Sequence, residues 1–218
     1  LYCRALLSAS KLYHDAGMEQ KSQACIARAT KNAEQIRKLV YDSETGLFAD
    51  SYYEGKRSDE YSFQTNLIAL YSGVAKASAY ETFSNKFLSD KRQLLELSNT
   101  KFFAFILETL FAFGQQFFGI ELIKEAFRYN KKREAQMLTN PNPHIFPIIA
   151  ANYIIRELLG IRAAVPGMGQ IYFNPACRNV SSAKGRIPNA HGRIVLEWKL
   201  TEGNELVVNI DSNHPLDV

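Results

Sequence analysis

The stretch at residues 46–73 reads GLFADSYYEGKRSDEYSFQTNLIALYSG, and the rest of the chain is organised around it. It predicts a turn at Gly46, then a polar loop rich in Asp, Ser and Tyr, and then an apolar helix with hydrophobic residues at every third or fourth position. Helical patterns lie on both sides of it. In a helical protein, a loop of this composition between two helices is a common place for a functional site.

Apolar residues with helical spacing predict two helices before this loop, over residues 1–16 and 19–40, with Gly17 between them. The same spacing predicts further helices after the loop, which span residues 62–79, 102–118, 121–133 and 145–159, and a short one that ends at Leu97. Beyond Pro166 the hydrophobic residues alternate, which predicts short strands over residues 171–173, 193–200 and 205–210. The sequence therefore predicts a mainly α-helical protein with a small β-domain at its end.

The composition argues against several classes of partner. A net charge of +4 is spread along 218 residues, and the densest basic cluster, at residues 131–133, is too short to predict a nucleic-acid partner. There is no run of about 18 uncharged apolar residues, so we expect no membrane partner. The three cysteines lack the spacing of a metal site, and we expect neither a metal nor another cofactor.

Side chains of the polar loop are candidates for contact with a sugar. The carboxylates of Asp50, Asp59 and Glu60 each offer several acceptor sites in one plane, which suits sugar hydroxyls, although a solvated loop explains them as well. The aromatic faces of Tyr52 and Tyr53 are of the kind that stack on sugar rings, and core packing explains this pair equally well.

Two parts of the helical region resemble a known family. The sequences YDSETGLFADS at 41–51 and YSFQTNLIALYSG at 61–73 are similar to the GLxxDS and SQHxNALALxxG segments of the bacterial α-L-rhamnosidases of glycoside hydrolase family 78. Gln64 stands where that family usually has His. The sequence KFFAFILETLFAFGQ at 101–115 resembles the family's PYFxFYxLEALxxxG helix.

A third part is the most specific. The sequence YIIRELLGIRAAVPGMGQIYFNP at 153–175, followed by IPNAHGRIVLEW at 187–198, is similar to the family's passage from its helical barrel into a C-terminal β-domain. The resemblance implies a mainly α fold, with the later helical hairpins of an (α/α)6 barrel followed by a small antiparallel β-domain. The implied domains are a partial six-hairpin glycosidase-like domain over 1–165 and a partial C-terminal β-sandwich over 166–218.

The resemblance also implies an activity, which is hydrolysis of terminal rhamnose from glycosides or polysaccharides with inversion. One carboxylic acid protonates the leaving oxygen and one carboxylate activates water in such a reaction. We expect a rhamnose-containing glycan or glycoside as the substrate. We also expect that an N-terminal part of the same polypeptide, missing here, completes the protein. A periplasmic and a cytoplasmic location in a bacterium both stay open.

The chain departs from the family at the catalytic positions. The family's general acid lies upstream of Leu1, and its general base is a Glu in a TxWE stretch. Here the matching interval is EAQMLTNPNPHIFP at 134–147, which has no Trp-Glu pair. Either a deletion has removed the base, which we favour, or Glu134 replaces it. His144 falls where the family has a His.

The catalytic residues therefore stay unknown, with Glu134 as a candidate base. The predicted substrate-binding residues are Asp50, Tyr52, Tyr53, Asp59, Glu60, Gln64 and His144. Whether the protein is an enzyme stays open. The alternative is a catalytically inactive relative that serves as a carbohydrate-binding or structural module.

Overall fold

A computed structural model of the protein describes residues 1–90, 94–95, 100–134, 151–190 and 192–218. The contacts divide the chain into two compact units, Leu1–Phe113 and Gly114–Val218. This division differs from the predicted domains, 1–165 and 166–218, which stay a prediction.

Unit 1 begins with a helical hairpin, as predicted. Helix α1 spans Tyr2–Asp15 and helix α2 spans Glu19–Val40. Gly17 joins them with a φ of 71°, a left-handed conformation that ends a helix at little cost only for glycine. The two helices pack against each other. Small residues on them are buried, which allows a close approach: Cys3, Ser10, Ser22, Ala29 and Ala33.

Two short hairpins form the polar stretch after α2. Strand β1 (Tyr41–Asp42) pairs antiparallel with β2 (Leu47–Phe48), and β3 (Tyr52–Tyr53) pairs antiparallel with β4 (Lys56–Arg57). The turn between β3 and β4 is two residues long, and both have positive φ, 48° at Glu54 and 80° at Gly55. Two left-handed residues match the right-handed twist of paired strands, so this turn holds the hairpin in register.

The helix predicted over 62–79 is shorter in the structure. Helix α3 spans Phe63–Tyr71 and ends there because Gly73 adopts a φ of 73°. Helix α4, which spans Ala79–Phe87, was not predicted. The apolar spacing predicted α3 correctly, but it did not predict that the helix would end before Gly73.

A second glycine divides the helix predicted over 102–118. Helix α5 spans Thr100–Ala112, and Gly114 follows it with a φ of 71°. Helix α6 spans Gln116–Glu134 and belongs to unit 2. The separate helix predicted over 121–133 is therefore part of α6. The core of unit 1 is built from α3, α4 and α5, with these side chains almost fully buried: Phe63, Leu67, Phe83, Phe103, Ile106, Leu107 and Leu110.

The next described element of unit 2 after α6 is an irregular helical segment. Residues 151–153 are α-helical, and a π-helix spans Ile154–Leu159. Gly160 ends it with a φ of 82°, and a Cβ atom added there would lie 2.6 Å from the Cα of Pro175. Real Cβ atoms do not approach backbone so closely, so this position requires glycine. The part of the predicted helix at 145–150 lies outside the described residues.

The strands of unit 2 are antiparallel. Strand β5 (Ile161–Ala163) pairs with β6 (Ile171–Phe173). A three-stranded sheet has the order β7 (Ser182–Asn189), β8 (Gly192–Leu200), β9 (Leu206–Ser212). The small antiparallel β-domain that was predicted is thus confirmed as a structural feature.

The middle strand of this sheet follows the predicted alternation. In β8, Ile194, Leu196 and Trp198 are fully buried and belong to one core cluster with Leu159 and Ile161. In β9, by contrast, only Ile210 of the predicted apolar face packs against this cluster. The other two residues of that face, Leu206 and Val208, are exposed.

Candidate functional site

The predicted polar loop is an ordered hairpin. The backbone N–H of Asp50 donates to the carbonyl of Glu60 at 2.9 Å, and the N–H of Ser58 donates to the carbonyl of Ser51 at 3.0 Å. These bonds extend the ladder between β3 and β4 toward the base of the loop. The backbone of Asp50 and Glu60, two predicted site residues, is therefore held together.

The carboxylate of Asp50 is fixed at the start of α3. Its Oδ1 accepts hydrogen bonds from the backbone N–H of Ser62 at 2.9 Å and from the Ser62 hydroxyl at 2.7 Å. Ser62 is also the N-cap of α3, because its Oγ accepts from the N–H of Thr65 at 3.2 Å. Burial acts to raise the pKa of Asp50, but hydrogen bonds with Thr65 and Ser62 outweigh it and hold that pKa below its usual value. The Asp50 carboxylate is therefore an ionised and exposed hydrogen-bond acceptor, and its position is fixed by Ser62.

A second carboxylate, Asp42, fastens the base of the loop. Its Oδ2 accepts from the Tyr61 hydroxyl at 2.6 Å and from the Thr45 hydroxyl at 3.0 Å. Its Oδ1 accepts from the N–H of Glu44 at 3.1 Å and lies 3.2 Å from Nη2 of Arg57. The hydrogen bond from Tyr61 is the main reason that the pKa of Asp42 lies below its usual value. Both oxygens are engaged within the protein, so Asp42 has a structural role.

A buried amide joins the loop to α3. The side-chain Oδ1 of Asn66 accepts from the N–H of Phe48 at 2.8 Å, and its Nδ2 donates to the carbonyls of Phe48 at 3.0 Å and Ser62 at 2.9 Å. One side chain thus satisfies both backbone groups of a strand residue. Buried backbone groups need such partners, so Asn66 fixes β2 against the first turn of α3.

The two predicted aromatic residues are exposed. The exposed fraction is 44% for Tyr52 and 74% for Tyr53, so neither is a core residue. Successive residues of a strand point to opposite faces, and Tyr52 and Tyr53 are successive residues of β3. The two rings therefore lie on opposite faces of the hairpin, and one sugar ring can stack on only one of them. Asp59 and the side chain of Glu60 are exposed.

Gln64 lies in the first turn of α3 and lines a cavity of about 350 Å³. The wall of this cavity is mainly apolar, with Thr65 and Ser72 as its other polar residues. Its remaining lining residues are Leu1, Ile36, Val40, Phe48, Ile68, Ala69, Val74 and Phe102. Gln64 therefore faces a largely hydrophobic space.

The side chains of two predicted site residues lie outside what the structure describes. Glu134 is described only as the last backbone position of α6, and His144 lies wholly outside the described residues. Among the described residues, no group of three or more acidic, His or Cys side chains is placed to bind a metal ion. In the same part of the chain, no helix is long and apolar enough to cross a membrane.

Ser62, Asn66 and Tyr61 were not among the predicted site residues, although they position the loop. A signal existed for Ser62, because a serine directly before an apolar helical run is a common N-cap. Asn66 and Tyr61 gave no such signal, since their partners are distant along the chain.

Family models match the two ends of the chain. Residues 1–116, just over half of the 218 residues, match the model described as Trehalase. The chain belongs to the trehalase family. Residues 160–212 of this trehalase-family chain match a second model, described as Bacterial alpha-L-rhamnosidase C-terminal domain. No curated protein sequence matches the chain.

Solved structures share the fold of this trehalase-family chain. A GH78 family rhamnosidase of Bacillus sp. GL1 superposes with a TM-score of 0.79 and 21% identity, over 99% of this chain and 24% of that one. An α-L-rhamnosidase from Dictyoglumus thermophilum superposes with a TM-score of 0.68 and 18% identity, over 92% of this chain and 24% of that one. The chain therefore spans about a quarter of the length of these structures.

These comparisons confirm the resemblance to the C-terminal part of an α-L-rhamnosidase, which was predicted from the three sequence segments. They also confirm the fold class, a mainly helical chain with small antiparallel sheets toward its C-terminus. Identities of 21% and 18% establish the fold of this trehalase-family chain and leave its activity to direct test.

Proposed function

We propose that the chain is the C-terminal portion of an α-L-rhamnosidase-like glycoside hydrolase that removes terminal rhamnose from glycosides or polysaccharides with inversion. The main support is the carboxylate of Asp50, which is exposed, ionised and fixed by Ser62 at the base of a hairpin with exposed tyrosines. The hairpin belongs to a fold shared with two rhamnosidases. In this proposal, the helices of unit 1 are later hairpins of an (α/α)6 barrel, and an N-terminal part of the same polypeptide supplies the earlier ones.

The proposed roles follow from chemistry and exposure. Asp50 accepts a hydrogen bond from a sugar hydroxyl, because its carboxylate has acceptor sites beyond those that Ser62 and Thr65 use. One of the rings of Tyr52 and Tyr53 stacks on the sugar. The remaining proposed contacts come from Asp59, Glu60, Gln64 and His144.

A second candidate function is a catalytically inactive relative that binds carbohydrate or serves as a structural module. The observation in its favour is the tryptophan content. The chain has a single tryptophan, Trp198, which is fully buried in β8 and is followed by Lys199. A Trp-Glu base motif is therefore absent from these 218 residues. Under the enzyme proposal, Glu134 must act as a displaced base.

Hydrolysis of p-nitrophenyl α-L-rhamnoside by the full-length natural protein tests the enzyme proposal, with trehalose as a parallel substrate because of the first family match. We expect rhamnoside hydrolysis, and proton NMR of the fresh product should show β-L-rhamnose first, as inversion requires. Glu134→Gln should abolish the activity if Glu134 is the base. Cleavage of trehalose alone would contradict the rhamnose assignment.

A binding residue is tested separately from the base. Asp50→Asn keeps an oxygen that can accept from Ser62, so the fold should be retained, but the charged acceptor is lost. A hydrogen bond to a charged group contributes about 1.5–3 kcal/mol, so we expect KM to rise about tenfold or more while Asp211→Asn, an exposed control in β9, leaves it unchanged. L-rhamnose binding by calorimetry without hydrolysis would favour the inactive relative. Absence of both binding and hydrolysis would contradict the enzyme and the carbohydrate-binding module and would leave the structural module.

A further inference from the structure

A second cavity of unit 1, with a volume of about 480 Å³, has a basic lining. Its wall contains Arg37, Lys38 and Lys76, together with Tyr41, Phe48, Ser78 and Ala79. No aspartate or glutamate lines it. The lining thus combines three cations, a tyrosine and a buried aromatic floor at Phe48.

The cations of this cavity are not neutralised by neighbouring carboxylates. In the described part of the chain, no carboxylate lies within 4.0 Å of the charged groups of Arg37, Lys38 or Lys76. Arg37 is held in place because its Nη1 donates to the carbonyl of Val74 at 2.7 Å. A neutral carbonyl as partner leaves the guanidinium charge uncompensated, and its other N–H groups remain available.

Helix electrostatics explain only part of this arrangement. Arg37 and Lys38 lie in the last turn of α2, where cations favourably complement the helix dipole. Lys76 lies in the segment between α3 and α4, at the end of neither helix, and yet it lines the same cavity. Three positive charges from two separate segments therefore converge on one space.

We propose that this cavity binds an acidic sugar, whose carboxylate or phosphate group is held by Arg37, Lys38 and Lys76. Cavities of about 300–1,000 Å³ typically hold small organic ligands, and this one is far larger than an inorganic anion needs. Tyr41 and Phe48 provide aromatic surface for a sugar ring, and the Ser78 hydroxyl provides a further polar contact. The preference for a sugar rests on the proposed function, whereas the preference for an anion comes from the cavity alone.

Calorimetric titration of the full-length natural protein can distinguish the contribution of a ligand's negative charge to binding from that of its sugar ring. D-glucuronate and glucose 6-phosphate present both features, acetate and inorganic phosphate present the charge alone, and D-glucose presents the ring alone. We expect binding of the two acidic sugars, weaker binding of the two simple anions and none of D-glucose. Binding should weaken as salt is added, because exposed charges are screened.

Two lysine variants and a matched control locate the binding site. Lys38 and Lys76 are exposed, so Lys38→Gln and Lys76→Gln should fold normally, and each should weaken acidic-sugar binding about fivefold. The control is Lys31→Gln. Lys31 is an exposed lysine of α2, like Lys38, but it does not line the cavity, so this variant should bind acidic sugars as the unmodified protein does.

Several outcomes would overturn the inference. These are no binding of either acidic sugar, equal binding of acidic sugars and simple anions, or equal weakening by the lysine variants and by Lys31→Gln. Rhamnoside hydrolysis tests the proposed function independently of acidic-sugar binding. Loss of acidic-sugar binding with hydrolysis intact would therefore leave that function standing.

Discussion

The two units each hold an irregular segment in place with a buried carboxylate, but they surround it differently. In unit 2, Glu157 lies in the π-helix with its side chain only 1% exposed, and it is paired with two arginines. In unit 1, Asp42 lies at the base of the loop with its side chain 9% exposed and accepts mainly from neutral donors. The first anchor depends on charge pairing, and the second depends on hydrogen bonds.

The geometry at Glu157 leaves no oxygen without a partner. Its Oε1 accepts from Nε of Arg156 at 2.8 Å, and Nη2 of Arg162 reaches Oε1 at 2.7 Å and Oε2 at 2.6 Å. Nε2 of Gln116 also lies 3.3 Å from Oε2. A charge withdrawn from water requires compensation of this kind, and removal of the carboxylate leaves two partly exposed arginines without their charge partner.

Among the described residues, Asp42 has a single cationic partner, Arg57, with 37% of its side chain accessible, whereas Glu157 has two, Arg156 at 24% and Arg162 at 40%. Water can replace much of what Arg57 contributes, and ion pairs near the surface contribute little. The π-helix of unit 2 thus depends on one buried charge and its arginine partners, whereas the loop of unit 1 is held mainly by several hydrogen bonds from neutral donors. Substitutions should therefore affect unit 2 more strongly.

The largest expected effect is that of Glu157→Gln. Breaking a buried ion pair by removal of one partner costs about 3–5 kcal/mol. Because Arg156 and Arg162 are partly exposed, the free energy of unfolding of unit 2 should fall by the lower end of that range, about 3 kcal/mol. Trp198 is the only tryptophan of the chain and lies in the core cluster of unit 2, so its fluorescence during urea unfolding reports the change. Glu202→Gln, at an exposed turn, is the control and should leave the midpoint unchanged. Equal midpoints for both variants would show that the cluster does not stabilise unit 2.

A smaller effect is expected from Asn66→Ala in unit 1. The substitution removes the side-chain partner of the N–H and of the carbonyl of Phe48. Each lost hydrogen bond costs about 1 kcal/mol, so we expect a loss of about 2 kcal/mol. Urea unfolding followed by circular dichroism should show the loss, and the amide hydrogen of Phe48 should exchange faster with solvent. Asn85→Ala, at an exposed position of α4, is the control. Unchanged exchange at Phe48 would contradict a role for Asn66 in holding β2.

The sequence predicted those elements whose pattern is local. The hairpin of α1 and α2 and strand β8 were predicted correctly, because their apolar residues repeat with the period of the element itself. The breaks at Gly73 and Gly114 were not predicted, since a glycine ends a helix only where the chain adopts positive φ. Strand β7 was missed because SAKGRIPN contains few apolar residues and a proline.

The candidate site was predictable as a region, and its internal bonds were not. The composition of residues 41–60 indicated a polar turn and loop, but it could not distinguish the roles of Asp42 and Asp50. The roles of these two carboxylates depend on bonds to Tyr61 and Ser62, 19 and 12 residues further along the chain. Contacts over such distances are set by the tertiary fold.

The smallest expected effect is a pH dependence that belongs to unit 1. The pKa of Asp42 in the folded protein is lowered, chiefly by the hydrogen bond from Tyr61, so folding favours the ionised form. The stabilisation is therefore fully present above the unfolded-state pKa, about 3.9, and is lost as the pH falls through the lower folded-state pKa. Urea midpoints measured by circular dichroism from about pH 6 down to about pH 2 should fall less steeply for Asp42→Asn than for the unmodified protein. Asp59→Asn, an exposed carboxylate of the same loop, should retain the original slope, and the same slope in all three proteins would remove Asp42 as the acid-sensitive anchor of the loop.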